Sequence, residues 1–187
     1  MSETRVDEII KKLALTERVE EKDIPEIDLY MDQVIQLFES KLGENKRFED
    51  DKILTKTMIN NYAKGKLLMD IKNKKYSKEH IILMCFIYNM KGILALGDIK
   101  LALEKIVLEY NKGEISSKEI RNLYDIYLKG QEKNLKDVKE EVNLDLKNLG
   151  EEFDSLKEEE KKLLLSSMLV DKANIYKKLA EKILDGE

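Results

Sequence analysis

The sequence predicts an all-α protein, with a head of short helices over residues 24–111 and a body of long helices over residues 116–187. The chain of 187 residues has one proline and eight glycines, so few positions interrupt a helix. Apolar residues recur at three- and four-residue spacing, whereas β-branched alternation is nearly absent. Hydrophobic residues make up 42% of the chain, enough for a core, and charged residues, at 39%, can cover it.

Residues 1–23 are predicted to form an N-terminal segment with a short amphipathic helix over residues 3–15. Its apolar residues stand at helical spacing: Val6, Ile9, Ile10 and Leu13. A signal peptide would begin with positive charge and an apolar run, whereas acids stand among the first residues here. The longest apolar run of the chain, residues 81–87, is far too short to span a bilayer. We therefore expect a cytoplasmic protein with no membrane partner.

The head is predicted to open with two short helices. The first, residues 31–42, ends at Gly43 and carries one apolar stripe. The members of that stripe are Met31, Val34, Ile35, Phe38 and Leu42. A polar loop leads to the second helix, residues 56–64, which ends at Gly65. Thr55 is its expected N-cap, because a threonine oxygen can accept the free amides of the first turn.

Residues 69–76 are short and lysine-rich, which predicts a loop or a small wing. Ser77 is expected to cap a third helix that is apolar nearly all round, so this helix should lie at the centre of the head. His80, in its first turn, is expected to be a surface or capping residue rather than a catalyst. Cys85 should be a buried, inert thiol. A fourth helix is predicted over residues 99–110.

The body is predicted to contain two long helices, residues 120–149 and 158–184, with Gly150 ending the first. Two capping boxes should start helices in this half: Ser116 with Glu119, and Ser155 with Glu158. Both helices carry apolar stripes, so they should form an antiparallel hairpin or pair with a second chain.

A basic island on an acidic chain is the main functional signal. Residues 52–78, the lysine island, contain eight lysines and one acid, Asp70, which gives a local charge of +7. The whole chain carries −4, so the remainder carries −11. Such an island is typical of a surface for a polyanion, and the usual polyanion is nucleic acid.

The helix over residues 56–64 divides into an apolar and a polar side. Met58, Ile59 and Tyr62 lie on one side, and the outward positions are Lys56, Thr57, Asn60, Asn61 and Lys64. Asparagine can bond an adenine edge in two places, and lysine can meet guanine or phosphate. The pattern therefore fits a base-reading helix, and it fits equally a soluble helix with a polar outside.

Three stretches, LTKTMINNYAKGKLL, KKYSKEHI and LALGDI, resemble the DNA-binding head of the mercury-resistance (MerR-like) transcription regulators. Thr55 stands at the helix cap, and MDQVIQLFE resembles the first helix of the motif. Other matching positions are Asn61 and Tyr62, where the family often has two tyrosines, Leu67 and Leu68 at the helix exit, Tyr76 and Ser77 at the wing end, and Leu96 with Ile99 in the fourth helix. The region from residue 23 to about residue 99 is also similar to a bacterial family catalogued as a domain of unknown function.

The chain departs from the MerR-like pattern at three places. About a dozen residues, 39–54, replace the tight turn between the first two helices. The wing, residues 69–75, is shorter, and Lys66 stands where a glycine is usual.

The resemblance implies a sequence-specific DNA-binding protein that regulates transcription. With the charge pattern, it predicts contacts to double-stranded DNA from Thr55, Lys56, Thr57, Asn60, Asn61, Lys64, Lys66, Lys72, Lys74, Lys75 and Tyr76. Because one small head reads few base pairs, we expect a homodimer built by residues 116–187, with two heads about 34 Å apart.

Two rival interpretations remain open. The first is a helical protein–protein interaction module that keeps the fold without DNA binding, in which the lysine island meets an acidic protein partner. The second is a membrane-surface binder, which would need lysines opposite an apolar face; the apolar residues here are expected in the core.

Catalysis and metal binding have no support in the sequence. It contains no glycine-rich phosphate loop, nucleophile elbow or His-Glu-x-x-His motif. A single cysteine excludes an intramolecular disulfide and a thiolate-rich metal site within one chain. The acid pairs at residues 140–141 and 151–152 are better explained as solvated helix faces than as cation sites. We expect no catalytic residue, no metal and no cofactor.

Overall fold

The computed structural model describes residues 16–186 together with Glu8, Ile9 and Leu13. In this part of the chain it contains six α-helices and one small two-stranded sheet. The elements in chain order are β1 Leu29–Tyr30, α1 Met31–Leu42, α2 Lys56–Lys64, β2 Lys75–Tyr76, α3 Lys78–Met90, α4 Leu96–Lys112, α5 Ser117–Asp154 and α6 Glu158–Asp185. The predicted all-α character is confirmed, with the short sheet as an addition.

The helix predicted over residues 3–15 lies almost entirely outside the described residues. The described chain divides into two compact units. The head unit is Glu17–Lys129, and the body unit contains residues 130–186. Helix α5 contributes its first residues to the head unit and its remainder to the body unit. In the described chain, no helix is long and apolar enough to cross a membrane.

Helix α1 forms where the apolar stripe was predicted. Val34, Phe38 and Leu42 are buried, and Gly43 lies at the C-terminus of the helix. At the other end, the Tyr30 backbone N–H donates to the Gln33 side chain over 2.9 Å and so caps the first turn.

The long connection between α1 and α2 is attached to the core at its far end. Ile53 and Leu54 are buried immediately before α2. The ammonium of Lys91, at the end of α3, donates to the Ile53 carbonyl over 2.9 Å. Thr55 then caps α2, since its hydroxyl oxygen accepts the Met58 amide at 3.2 Å. The predicted N-cap is confirmed.

The lysine-rich stretch after α2 forms a small wing. Strand β2 pairs antiparallel with β1, with Leu29 opposite Tyr76 and Tyr30 opposite Lys75. An isolated antiparallel β-bridge joins the backbones of Lys72 and Lys75 around a tight turn. The central residues of this turn, Asn73 and Lys74, have φ values of 54° and 57°. Positive φ at both central residues is the requirement of a type I′ hairpin turn.

Helix α3 lies at the centre of the head unit, as predicted. Residues 81–85 and Ile87 are buried. Phe86 contacts the rings of Tyr124 and Tyr127 in α5, with centroid distances of 5.7 and 4.7 Å. Cys85 is a buried free thiol, and burial raises its pKa to about 12. The prediction that this thiol is buried is confirmed.

The two capping boxes have different outcomes. At the start of α5, the Ser116 amide donates to the Glu119 carboxylate over 2.8 Å, which confirms the first box. The second is wrong, because Ser155 uses its hydroxyl to donate to the Glu152 carbonyl at 2.7 Å. Helix α6 is capped instead at Lys157, whose amide donates to the Glu160 carboxylate over 2.8 Å.

The body unit is an antiparallel hairpin of helices. Gly150 has φ 58° and ψ −153°, so it interrupts the helical path where the sequence predicted an end, and helical residues resume up to Asp154. Across the hairpin, the Lys172 ammonium of α6 pairs with Glu141 at 2.8 Å and with Asp145, both in α5.

Candidate nucleic-acid interface

Helix α2 presents one continuous polar face to solvent. Ile59 and Tyr62 are buried against the core, and Met58 is half-buried. The opposite side, which we call the outer face of α2, consists of exposed residues: Lys56, Thr57, Asn60, Asn61 and Lys64. Their spacing places all five on one side of a helix with 3.6 residues per turn. The predicted division of this helix is therefore confirmed.

The lysines in and around α2 differ in their ion pairs. Lys56 lies 2.7 Å from Asp32 of α1, and both side chains are about two-thirds exposed, at 64% and 68%. A pair so open to water contributes little stability, so Lys56 can exchange Asp32 for another anion. In the described part of the chain, no carboxylate lies within 4 Å of the Lys64, Lys66 or Lys72 ammonium groups.

Lys66 has a backbone conformation that favours glycine. Its φ is 59°, and it follows Gly65 directly after α2. A Cβ atom at Gly65 would lie 2.6 Å from the buried Leu67 side chain and 3.1 Å from the Asn61 carbonyl oxygen, so Leu67 would have to shift. At Lys66 the left-handed conformation costs roughly 1 kcal/mol for a residue with a Cβ atom. The chain has a lysine at this position in spite of that cost, and the side chain is exposed.

The wing carries more exposed cations. Lys72 and Lys74 are exposed at the turn, and the Lys75 ammonium lies 5.0 Å from the centroid of the Tyr30 ring. The prediction that Tyr76 contacts DNA is wrong, because this side chain is only 3% exposed. Its ring meets the edge of His80, with centroids 5.9 Å apart, and burial raises its pKa. Tyr76 belongs to the core and is not available to DNA.

Helix α1 is the common neighbour of the outer face and the wing. It contacts both α2 and β2, and strand β1 leads directly into it. Apart from buried Tyr76, the predicted contact residues are exposed or half-exposed, and they lie in α2, beside its two ends or in the wing: Thr55, Lys56, Thr57, Asn60, Asn61, Lys64, Lys66, Lys72, Lys74 and Lys75.

The start of α3 holds a buried polar cluster that sequence reasoning missed. Lys78, Glu79 and His80 are each no more than 6% exposed. Lys78 pairs with Glu26 at 2.6 Å, and Arg121 of α5 pairs with Glu79 at 2.9 Å and with Glu26 at 3.0 Å. Burial raises the pKa of the Glu79 carboxyl, but its hydrogen bonds outweigh burial and the net pKa is lowered. Lys78 is therefore part of this buried cluster, although its position in the sequence lies within the lysine island.

His80 joins the cluster to the wing. Its Nδ1 accepts the Ser77 amide at 3.1 Å, which places the ring proton on Nε2. Nε2 lies 3.3 Å from the Met69 carbonyl and donates to it. Burial lowers the pKa of His80, so the neutral ring is favoured. The expectation of a capping role is confirmed, but the residue is buried.

A groove of about 750 Å³ lies between the end of α2, the wing and α4. Its lining includes buried Leu68, Met69 and Val107, and exposed lysines at positions 66, 100 and 105. The Asp70 amide donates to the Asn111 side chain over 3.0 Å, which ties the wing to α4 beside the groove. Among the described residues, no group of three or more His, Cys, Asp or Glu side chains is placed to hold a metal ion.

The chain was compared with the sequence models of known protein families. The sequence model of a family described as "Domain of unknown function (DUF1836)" matches residues 19–127, more than half of the chain. The matched range lies within the head unit, Glu17–Lys129, and it contains the outer face of α2 and the wing. Neither the curated proteins nor the solved structures include a match to this chain.

Proposed function

The chain belongs to the DUF1836 family, and we propose that it is a sequence-specific DNA-binding protein that regulates transcription. The observation that carries the proposal is the exposed outer face of α2, with two adjacent asparagines between lysines. It lies in a segment of charge +7 on a chain of charge −4. A cationic helix with amide side chains facing outward is suited to a DNA groove.

The order of elements supports a MerR-like helix-turn-helix head. Helix α1 serves as the first helix of the motif and α2 as the recognition helix. The β1–β2 pair with its tight turn serves as a small wing, and α3 and α4 complete the head. The long α1–α2 connection is compatible with this arrangement, because Ile53 and Leu54 attach it to the core just before α2.

Two kinds of contact are assigned to the site. Thr57, Asn60 and Asn61 face the base edges, where an amide can make paired hydrogen bonds with adenine. The lysines at positions 64, 66, 72 and 74 hold phosphates, since they are exposed and no carboxylate of the described chain lies within 4 Å of them. Lys56 joins the phosphate contacts after release from Asp32.

Genomic footprinting of the tagged full chain tests the proposal. We expect sharp peaks that share one sequence motif. The peaks should disappear in a variant carrying Asn60→Ala and Asn61→Ala, because these changes remove the base contacts and leave the lysines in place. A matched control changes Asn134→Ala in the body unit, where the side chain is also exposed. A diffuse profile for the wild-type chain would exclude sequence-specific binding.

The groove favours a second function, as a protein-interaction module. An apolar floor, whose edge carries three lysines and the two acids Asp70 and Glu104, fits an amphipathic segment of a partner protein. The variant Lys100→Glu discriminates between the two functions, because Lys100 lies on α4 and outside the outer face of α2. Loss of a co-purifying partner, with no footprint in the wild type, would favour the second function.

A further inference from the structure

The two arms of the wing are attached to the head unit in different ways. The second arm, β2, pairs with β1, and Tyr76 at its end is buried. The first arm, residues 69–71, is not part of this two-stranded sheet. The turn between the arms carries exposed Lys72 and Lys74. The position of these two lysines therefore depends on how the first arm is held at its start.

One peptide unit at the start of the first arm is held by side chains from two different helices. The Met69 carbonyl accepts a hydrogen bond from His80 Nε2 of α3 at 3.3 Å. The Asp70 amide belongs to the same peptide unit, and it donates to Asn111 Oδ1 of α4 over 3.0 Å. Because a peptide unit is planar, holding both its C=O and its N–H restricts the direction in which the chain leaves it. We call this pair of hydrogen bonds the peptide clamp.

His80 is itself fixed between the start of α3 and the end of the second arm. The Ser77 amide donates to His80 Nδ1 over 3.1 Å. The His80 and Tyr76 rings pack edge to face, with centroids 5.9 Å apart. His80 therefore contacts both ends of the wing, the Met69 carbonyl where the first arm begins and the Tyr76 ring where the second arm ends. Because it is only 6% exposed, this side chain has little freedom to move, and it can hold the wing in one position.

We propose that His80 and Asn111 are positioning residues for DNA binding. The peptide clamp holds the turn of the wing, and with it Lys72 and Lys74, where phosphates can be bound while the outer face of α2 contacts bases. Neither clamp side chain contacts DNA itself. A wing that is ordered before binding loses less conformational entropy on binding, so the clamp raises affinity without a contact of its own. The inference rests on the proposed function and adds the residues that set the position of the wing.

Hydrogen exchange of single amides, measured by NMR on the full chain, tests the clamp without DNA. The reporter is the Lys75 amide, which donates to the Lys72 carbonyl over 3.0 Å and lies outside the clamp. Asn111→Leu removes the acceptor for the Asp70 amide, so it should speed exchange at Lys75 about fivefold, the equivalent of one net hydrogen bond. Asn111→Asp is the matched control. It keeps an acceptor oxygen, and the Lys75 amide should exchange at the wild-type rate.

His80→Asn removes the other hydrogen bond of the clamp. Asparagine can accept the Ser77 amide, but it is too short to reach the Met69 carbonyl, so exchange at Lys75 should again rise. Asn111→Leu remains informative if His80→Asn does not fold, because Asn111 is exposed.

A second control separates local opening of the wing from a general loss of stability. Ser116→Ala removes the hydroxyl that accepts the Glu119 amide at the start of α5. It should speed the slowest amides of the head unit and leave Lys75 unchanged, because the wing opens locally. Unchanged exchange at Lys75 in a folded clamp variant, or an equal rise in Ser116→Ala, would overturn the proposal.

A thermodynamic cycle with DNA tests the positioning role. In the wild-type background, Asn111→Leu should weaken binding to the footprinted motif about fivefold. In a background with Lys72→Ala and Lys74→Ala it should have no further effect, because the cations that the clamp positions are gone. Equal losses in both backgrounds would overturn the positioning of these lysines. A wild type that binds no DNA, with faster Lys75 exchange in the clamp variants, would refute the proposed function while confirming that the clamp holds the wing.

Discussion

At the scale of single residues, backbone conformation and burial decide which side chains are available for function. Lys66 keeps a lysine where the φ of 59° favours glycine. Tyr76 follows a run of exposed lysines and is itself buried. His80 is buried with both ring nitrogens in hydrogen bonds.

Lys66→Gly should stabilise the protein by about 1 kcal/mol, because glycine adopts the left-handed conformation without steric cost. The same change should weaken DNA binding, since it removes an exposed cation. Urea denaturation and fluorescence anisotropy measure the two effects. The control is Lys64→Gly, at the last helical position of α2. It should destabilise by roughly 0.5–1 kcal/mol and also weaken binding. Stabilisation by both variants would contradict the strain at Lys66.

The free energy of unfolding should fall as the pH drops from 7 to 5, and His80 should account for that fall. Its pKa is lowered in the folded state by burial, so the unfolded chain takes up a proton first. The stabilising effect is complete above the ordinary pKa of about 6.5 and is lost as the pH falls through the lowered value. The chain has one histidine, which isolates the effect.

Urea denaturation at pH 7.5, 6.5 and 5.5 measures this change in the free energy of unfolding. His80→Asn should make the stability nearly flat over this range, because asparagine can accept the Ser77 amide without titrating. The carboxylates with lowered pKa, such as Glu79 and Asp23, act at lower pH and serve as an internal reference. A variant with the same pH dependence as the wild type would assign the effect to other groups.

The sequence predicted the exposed side chains of α2 well and the polar core poorly. An apolar period shows which side of a helix is buried, so it placed Asn60 and Asn61 outside. It carries no information about partners distant in sequence. Lys78 is buried because Glu26, 52 residues away, meets its ammonium. Arg121 reaches Glu26 across 95 residues. Charge counting therefore placed Lys78 on the surface.

At the scale of elements, the helices followed from periodicity and caps, whereas the strands did not. Thr55, Gly43 and Gly65 set the ends of α1 and α2 as expected. Strands β1 and β2 have two residues each, which is too short for an alternating pattern to appear. Their pairing depends on the turn at Asn73 and Lys74 and on burial of Tyr76.

The first turns of α5 show the limit of stripe assignment. The spacing of apolar residues in α5 favours Leu123 and Ile126 as buried positions, but they are 41% and 58% exposed. Tyr124 and Leu128 are buried in their place. Apolar residues lie on two sides of this helix. The side that carries Tyr124 is buried, because Tyr124 packs against Phe86 of α3.

The proposed role of α2 in base recognition predicts the effect of Asn60→Ala on DNA binding. The change should cost about 1–3 kcal/mol of binding free energy on the footprinted motif, because a base contact is lost. On random DNA of equal length, the loss should be small. Fluorescence anisotropy with the two DNAs measures both values. Equal losses on both would make Asn60 a phosphate contact or a folding residue.

At the scale of the whole molecule, charge is distributed unevenly between the lysine island and the rest of the chain. The island carries +7 against −11 elsewhere. For the proposed DNA binding, the acidic remainder of the chain should repel DNA and the lysine island should attract it. The association of the head with DNA should consequently depend strongly on salt.

Four alanine substitutions, at Lys64, Lys66, Lys72 and Lys74, should reduce the slope of log K against log salt. Each phosphate contact contributes about −0.9 to that slope, so the loss should be roughly 3 to 4. The control replaces four exposed lysines outside the island: Lys118, Lys129, Lys133 and Lys147. It changes the net charge equally and should leave the slope unchanged. Equal effects of both variants would indicate general charge attraction and no defined phosphate site.

The closure of the head unit by Tyr124 has a consequence for biosynthesis. The Tyr124 hydroxyl donates to the Val19 carbonyl, 105 residues earlier, and Arg18 donates to the Leu128 carbonyl. Ribosomes add about 5–20 residues per second, so roughly 5–20 s pass between the synthesis of Val19 and that of Tyr124. During that time Phe86 also lacks the ring of Tyr124. The nascent chain should therefore expose apolar surface until α5 begins to emerge, and it should be a substrate for ribosome-associated chaperones in that interval.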